Sequence, residues 1–346
     1  YDFYYSLCIN HVRHIRVVII SDRYNRVFKG QVVIEKNMSA DLLKSEFRKP
    51  RQMLSDQEYE GHLSIHDDKM AEDLGFPGAP IEGPTHFSQF VPLLHEVFGD
   101  DWFAKGCISA HYQNMVVEGE EVQTMVEKAP NSSGMVAIFA QKRDGTPVLT
   151  GTASLGPDYG ETELDKRISK LRPSSQLVIL SDLRVGQKGA GNPEAVRMDI
   201  DQHMGDMYPF SNKQKLEKIT ENHEFYEGDT PWGGAVIPLE MISVLTNYTS
   251  DRSGFRTKGP AIGLFAGQQI KMIDGPLMIG KDYLLEREII ALSESRRTES
   301  NWTLTRVLCA DSKKLKAEVI LNSAILKDSY ASYKADAASL GKDLSV

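Results

Sequence analysis

The sequence predicts an α+β fold in which a curled antiparallel sheet wraps a central helix, and in which this unit occurs twice. Three observations lead to this prediction. An apolar segment that begins after a glycine and has helical spacing occurs once in each half of the chain. Each segment is followed by a strand-like run that opens with glycine, and then by long β-rich stretches. Matching prolines and glycines keep a constant offset between the halves.

In the first block, a loop rich in turn-forming residues leads to Gly83, and the apolar residues that follow lie at the spacings of one helix face. These residues are Phe87, Phe90, Val91, Leu94, Val97 and Phe98. A strand-like run opens at Gly106, and the block ends in the β-rich stretch 148–155 after the hairpin turn 144–145. The first block therefore predicts one helix followed by antiparallel strands.

In the second block, Gly234 leads into 236–245, which is apolar nearly all round apart from Glu240 and predicts a buried helix. Strand-like runs follow from Gly263 to 319–326. Two residue pairs relate the blocks at an offset of 151, namely Pro80 with Pro231 and Gly83 with Gly234. The repeated order predicts two equivalent units that pair edge to edge, because pairing removes exposed strand edges.

A helix wrapped by long antiparallel strands, repeated once, is a double hotdog. The chain of 346 residues has the length expected for two such domains. Residues 1–30 lack an initiator Met and a secretory signal, so their role is left open. The predicted divisions are an N-terminal extension 1–30, an N-terminal hotdog 31–157, a charged and partly helical linker 158–190, a C-terminal hotdog 191–332 and a tail 333–346.

Composition narrows the classes of function. Forty Lys and Arg against forty-eight Asp and Glu give a net charge of −8, which disfavours nucleic acids and anionic membranes as partners. Three widely spaced cysteines indicate neither a disulfide framework nor a zinc site. No run approaches the roughly eighteen apolar residues that a membrane-spanning helix needs. We therefore expect a cytoplasmic protein whose partner is a small molecule or another protein.

The densest group of polar residues lies within 62–86 and includes His62, His66, Asp67, Glu82 and His86. The run from His66 to Ala71, followed by a glycine-rich turn and Pro80-Ile81-Glu82-Gly83, resembles the MaoC-like (R)-specific enoyl-CoA hydratase and dehydratase family. That family has the pattern H-x-D-x-x-x-A, a glycine-rich turn, P-I and a glycine at the helix start. The C-terminal half resembles the family only through its architecture and through Pro231 and Gly234.

The resemblance implies an acyl thioester substrate, carried by coenzyme A or by an acyl-carrier protein, and no cofactor other than the CoA part of the substrate. It places the catalytic histidine on His66, but Gly61 stands where the family has its Asp, so Glu60 or Asp67 would supply the carboxylate. Gly83 would donate its amide to the thioester carbonyl, and His86 would face the thioester. The simpler interpretations are a loop histidine at His66, a core histidine at His86 and a first-turn carboxylate at Glu82.

A second constellation in the C-terminal half loosely resembles the hotdog β-hydroxyacyl carrier-protein dehydratases, in the order His223, Pro231, Gly234, Glu240. A single glutamate in an apolar helix is costly to bury unless it is paired or faces a cavity. Glu240 is therefore a candidate catalytic carboxylate. The alternative is an ion pair between Glu240 and an arginine such as Arg287.

These patterns predict a hydratase or dehydratase that acts at the β-carbon of an acyl thioester. A thioesterase that uses Glu240, and a non-catalytic acyl-thioester-binding module whose site has lost its Asp at Gly61, are the alternatives. The basic pair 296–297 is interpreted either as a contact for CoA phosphates or as a solvated hairpin tip. We expect no metal, and both a monomer and a homodimer are compatible with two hotdogs in one chain.

Overall fold

A computed structural model describes residues 42–54, 57, 65–66, 68–73, 78–172, 174 and 176–344. The predicted extension 1–30 and the candidates Glu60, Gly61, His62 and Asp67 lie outside these residues. Within them, no helix is long and apolar enough to cross a membrane.

The main element of the described chain is one ten-stranded antiparallel sheet. Its long strands alternate buried with partly exposed residues, which is the pattern of a sheet with two different faces. The strands are β1 Leu42–Lys44, β2 Gly106–Tyr112, β3 Val122–Glu127, β4 Met135–Lys142, β5 Pro147–Leu155, β6 Glu194–Arg197, β7 Gly263–Met272, β8 Asp282–Glu294, β9 Thr298–Cys309 and β10 Leu315–Leu326.

The strand order is β1-β3-β4-β5-β2-β7-β10-β9-β8-β6, so each half of the chain contributes five neighbouring strands. The halves meet where β2 pairs with β7, from Cys107 opposite Lys271 to His111 opposite Gly267. This ladder, called the seam below, is the predicted edge-to-edge pairing. The prediction of two sheets needs correction, because the seam joins them into one continuous sheet. The domain boundaries stay a prediction.

Eight short α-helices accompany the sheet in the described chain. They are α1 Asp68–Asp73, α2 Thr85–Ser88, α3 Val91–Phe98, α4 Asp101–Lys105, α5 Glu163–Ile168, α6 Asn212–Leu216, α7 Leu239–Asn247 and α8 Tyr333–Ser339. Single 3-10 turns occupy Glu224–Tyr226, Ser250–Ser253 and Lys327–Ser329. Helix α5 lies within the predicted linker, and a capping box at Thr162 fixes its start.

The first predicted helix is divided into α2 and α3, and proline explains the division. Pro92 lies in the first turn of α3 and has no backbone N–H, and its ring would clash with the carbonyl of Ser88 in an uninterrupted helix. Residues 87–98 therefore form two short helices.

The second predicted helix begins at Leu239, three residues later than expected. Pro238 has extended backbone geometry and precedes the first turn. Val236 bridges Met278, and the amide of Ile237 donates to the carbonyl of Leu277. Gly234 consequently lies in a turn held by Thr230, and the prediction that it starts a helix is wrong.

The two faces of the seam carry different elements. Ile108 and Ile270 pair with each other and belong to the main apolar core with residues of α3 and α7, so this side is called the helix face. Ser109 and Gln269 point to the opposite side, called the linker face, because side chains alternate along a strand. There, Ser109 Oγ accepts from the amide of Leu164 in α5 at 3.0 Å.

A buried carboxylate anchors the end of the linker to the sheet. Glu299 of β9 is fully buried, and its oxygens accept from the backbone amides of Val178, Ile179 and Leu180 at 2.8–3.1 Å. The hydroxyl of Tyr333 also donates to Glu299, at 3.0 Å. Because three buried amides have this carboxylate as their acceptor, Glu299 holds 178–180 against the C-terminal half.

We predict that Glu299→Ala lowers the free energy of unfolding by about 3 kcal/mol or more, since it leaves three buried donors without an acceptor. Tyr333→Phe removes a single hydroxyl and should cost about 1 kcal/mol. Denaturant unfolding followed by circular dichroism measures both changes, with the exposed Glu118→Ala as the control. A loss for Glu299→Ala no greater than that of the control would contradict this account.

Candidate functional site

A buried ion pair between α6 and α7 lies on the helix face, and Ser88 of α2 contacts it from the other half of the chain. Glu240 of α7 is only 2% exposed. Its Oε1 lies 2.7 Å from Nζ of Lys215, and its Oε2 accepts from the hydroxyl of Ser88 in α2 at 2.5 Å. Oε2 is therefore hydrogen-bonded, whereas Oε1 is in an ion pair whose geometry leaves it without a hydrogen bond.

Lys215 reaches Glu240 because α6 is fixed at its start. Ser211 and Gln214 form a capping box that sets the first turn, and Lys215 packs its ammonium 5.4 Å from the centre of the Phe210 ring. The expected partner, Arg287, is engaged elsewhere. It bonds the carbonyl of Thr246, the hydroxyl of Thr249 and the carboxylate of Glu194. The predicted pairing of Glu240 with Arg287 is therefore wrong.

A second carboxyl group, Glu82, lies just before α2. Its Oε1 accepts from the hydroxyl of Tyr208 at 3.3 Å. Burial raises the pKa of Glu82 to about 7, and the nearby ammonium of Lys215 offsets only part of this rise. Part of the Glu82 surface nevertheless remains exposed. Glu82, Ser88, Tyr208, Lys215 and Glu240 are called the carboxylate cluster below.

Gly83 follows Glu82 directly, and a close aromatic contact explains the glycine. A Cβ at this position would lie 2.5 Å from the ring of Tyr112. Within the described residues, the backbone N–H of Gly83 has no hydrogen-bond acceptor. The structure thus places a free amide donor next to a carboxyl group that titrates near neutrality.

Several buried polar groups near the cluster have no partner within the described part of the chain. They are the side-chain amides of Gln89 and Asn212 and the hydroxyls of Tyr112 and Tyr226. The negative charge of Glu82 contributes to the raised pKa of Tyr112, and that of Glu240 to the raised pKa of Tyr226, although burial is the main cause in both cases. Buried groups of this kind are normally paired. They indicate a polar site that water or a ligand would complete.

Two of the predicted histidines lie on either side of Glu82 in the sequence. His66 has its Nδ1 2.7 Å from the carbonyl of Pro80, so Nδ1 carries the proton and Nε2 holds the lone pair. Burial lowers the pKa of His66, which favours this neutral form. His86 is buried in α2, and burial lowers its pKa to about 4. His86 is therefore a neutral core histidine at physiological pH, and its predicted contact with a thioester stays a prediction.

The second predicted constellation does not form one hydrogen-bonded group. His223 Nε2 lies 3.4 Å from Nδ1 of His95, and both rings pack against Phe103 and Phe225. Glu240 instead contacts Ser88 and Lys215. His223 belongs to an aromatic cluster that joins α3 and α4 to the 3-10 turn at Glu224–Tyr226.

The sequence interpretation missed Tyr208 and Lys215, which complete the carboxylate cluster. Tyr208 lies in the irregular segment between β6 and α6, and Lys215 lies in the short helix α6. The capping-box pattern Ser211 to Gln214 was the available local signal. It predicts the start of α6 but not the direction in which Lys215 points.

The sequence matches no protein-family model and no curated protein. Similar solved structures include a Chloroflexus aurantiacus protein assigned to the MaoC domain dehydratases, at 13% identity and a TM-score of 0.49, which covers 85% of this chain and 99% of its own. A Mycobacterium tuberculosis protein described as a double hotdog is 10% identical, covers 75% and 86%, and has a TM-score of 0.43. An acyl-CoA thioesterase II from Mycobacterium marinum is 12% identical, covers 69% and 88%, and has a TM-score of 0.35.

MaoC-like dehydratases are thus among the solved structures that are similar to this chain. These identities are low, and the similar structures include both dehydratases and a thioesterase. The chemistry of this chain rests on its own residues.

We predict that Lys215→Met lowers the free energy of unfolding by about 3–5 kcal/mol, because it leaves the charge of Glu240 buried and unpaired. Adding Glu240→Gln to this variant should restore most of the loss, since neither position 215 nor position 240 then carries a charge. Denaturant unfolding measures both, with Lys213→Met, at an exposed lysine of the same helix, as the control. Equal effects at positions 213 and 215 would contradict a buried ion pair.

The raised pKa of Glu82 makes stability depend on pH. Folding favours the protonated form, because the pKa rises from an ordinary 4.5 to about 7. The stabilisation is complete below pH 4.5 and is lost as the pH rises through 7. We expect Glu82→Gln to remove about 1–3 kcal/mol of this pH dependence, measured as unfolding free energies at pH 4.5 and pH 8. Glu118→Gln, at an exposed position, should leave the dependence unchanged.

Proposed function

We propose that the chain binds an acyl thioester and catalyses reversible addition of water at the β-carbon, with Glu82 as the acid–base group. The observation that carries the proposal is the adjacency of Glu82 and Gly83. Glu82 is a half-buried residue whose carboxyl has a pKa of about 7, and the amide of Gly83 has no acceptor in the described chain. A general base works best when its pKa lies near the operating pH.

In the hydration direction, the Glu82 carboxylate takes a proton from water as the water oxygen bonds to the β-carbon. The electron pair of the double bond moves toward the thioester oxygen, where the N–H of Gly83 stabilises the developing negative charge. The protonated Glu82 then returns its proton to the α-carbon, and the carboxylate is regenerated. Dehydration is the same sequence in reverse.

Tyr208 and the ion pair support Glu82 in this scheme. Tyr208 donates to Glu82 Oε1 and orients the carboxyl group. Glu240 positions the ammonium of Lys215, whose Nζ lies 2.7 Å from Oε1 of the carboxylate. Glu240 is then a positioning residue, because its burial and its two protein partners keep it from a substrate. His66 remains a candidate for a second proton-transfer group through Nε2.

A thioesterase is the second candidate, and the same two groups support it. A water activated by Glu82 can attack the thioester carbonyl while Gly83 stabilises the oxyanion, and this reaction needs no group near the β-carbon. The original reason for this alternative, a catalytic Glu240, loses its support because both oxygens of Glu240 are occupied. A non-catalytic acyl-thioester-binding module is the third hypothesis. It requires that acyl-CoA binds and that neither the hydrated thioester nor free thiol is formed.

We predict that Glu82→Gln lowers the turnover of trans-2-enoyl-CoA hydration by about 10²–10⁴-fold, because the amide cannot accept the proton. Loss of the enoyl absorbance and release of free thiol are followed in the same sample. Glu118→Gln, at an exposed and unpaired position, is the matched control. For the wild type, kcat/KM for hydration should rise as the pH passes through about 7, since the deprotonated carboxylate is the base.

The outcomes separate the three functions. Absorbance loss without thiol supports the hydratase, and thiol release supports the thioesterase with the same dependence on Glu82. Binding of acyl-CoA without either product supports the binding module. Hydration that is unaffected by Glu82→Gln would refute the assignment of Glu82 while leaving the substrate class intact.

A further inference from the structure

An open groove of about 460 Å³ lies on the linker face of the sheet, away from the carboxylate cluster. It runs between the C-terminal end of α5 and the hairpin that joins β8 to β9. Its position follows from the alternation of the strands, because His111 of β2 shares the side of Ser109, which bonds α5. The residues that line it and matter here are His111, Arg167, Lys170, Arg172, Thr298 and Asn322. It is called the linker-face groove below.

The rim of the groove is positively charged, although the whole chain has a net charge of −8. Lys170 and Arg172 line the groove, and Arg296 and Arg297 are exposed residues of the hairpin between the lining residues Ser295 and Thr298. Among the described residues, no ion pair is found for any of these four cations. Unpaired cations beside a groove attract an anionic ligand.

The acidic residue of the groove is already neutralised. Glu294 accepts from Lys327 at 3.0 Å and from Lys342 at 2.6 Å. These contacts lower the pKa of Glu294 to about 2, despite the opposing effect of its burial. Arg167 is likewise paired with Glu163 at 2.7 Å. The unpaired positive charge near the groove is therefore that of Lys170, Arg172, Arg296 and Arg297.

The floor of the groove contains polar atoms without partners in the described chain. Asn322 of β10 is 7% exposed, and its side-chain oxygen has no donor. His111 Nδ1 is also buried without a partner, while the ring bonds the carbonyl of Ala266. That bond uses the ring N–H, so Nδ1 is an acceptor in the neutral ring. A ligand that satisfies this floor brings hydroxyl donors.

We propose that the linker-face groove binds a small organic diphosphate that carries hydroxyl groups, such as a nucleoside diphosphate. The phosphates lie between Lys170 and Arg172 on one rim and the 296–297 pair on the other. The hydroxyls donate to Asn322 and His111 on the floor. The groove has the volume of an ordinary small-molecule site. This inference does not depend on the proposed acyl-thioester chemistry, which lies on the opposite face.

Isothermal titration calorimetry with ADP tests the proposal. We expect saturable binding by the full chain, weakened at least about tenfold in the double variant Lys170→Glu, Arg172→Glu, because charge-assisted contacts are lost. The matched control is Lys281→Glu, Lys314→Glu, which makes the same charge change at exposed lysines remote from the groove lining. Binding that weakens equally in both double variants would reflect net charge alone and would overturn the site.

The variant Asn322→Ala tests the contribution of the groove floor to binding separately from that of the rims. It should weaken ADP binding about fivefold through loss of one hydrogen bond, and it should leave the binding of inorganic pyrophosphate unchanged, because pyrophosphate has no sugar hydroxyl. Equal weakening of both ligands, or no heat with ADP for the wild type, would contradict the proposal.

A competition experiment identifies the source of the ligand. Displacement of ADP by CoA would indicate the nucleotide end of a thioester, whereas binding of ADP without such competition would indicate a free organic phosphate. Either result supports the groove as a diphosphate site. Because Glu82→Gln does not touch this face, ADP binding by that variant distinguishes failure of the groove from failure of the acyl centre.

Discussion

The rest of the structure depends on the pairing of β2 with β7. This ladder sets Ile108 beside Ile270 on the helix face and Ser109 beside Gln269 on the linker face. A slip of one residue would exchange the two faces and expose the apolar pair, so burial on the helix face specifies the register. Gly267 lets the layers approach closely, since a Cβ there would lie 3.1 Å from Leu164 of α5 and 3.0 Å from the carbonyl of Ala110.

The seam also explains why the candidate site has contributions from both halves. Ser88 and Glu240 are 152 residues apart in the sequence, and they meet because the ladder holds α2 and α7 against the same face. The cost of burying Glu240 is offset by Lys215 and Ser88 together. Among the residues that the structure describes, no such ion pair crosses the seam on the linker face, and α5 covers this face with the apolar side chain of Leu164 and polar contacts at Thr162.

The repeat in the sequence predicted the order of helix and strands and the edge-to-edge pairing. It did not predict the break before α3 or the late start of α7. Helical periodicity counts only the spacing of apolar residues, whereas Pro92 and Pro238 interrupt a helix because proline lacks a backbone N–H and its ring is bulky. Tyr208 and Lys215 could not be predicted as members of the site, since tertiary packing of an irregular segment and of the five-residue helix α6 places them there. The partner of Glu240 is for the same reason a lysine of α6 rather than Arg287.

In the proposed mechanism, the two carboxyl groups of the cluster have different roles because they share one ammonium. Lys215 lies 2.7 Å from Glu240, so its positive charge mainly stabilises this carboxylate, which is the more deeply buried of the two. Glu82 receives a weaker attraction from Lys215 and an opposing repulsion from Glu240, and burial then raises its pKa to about 7. A carboxyl group whose environment raises its pKa toward neutral pH is a candidate for an acid–base role. The ion pair therefore contributes to the chemistry proposed for Glu82 without contacting the substrate, because it leaves the pKa of that carboxyl close to neutral pH.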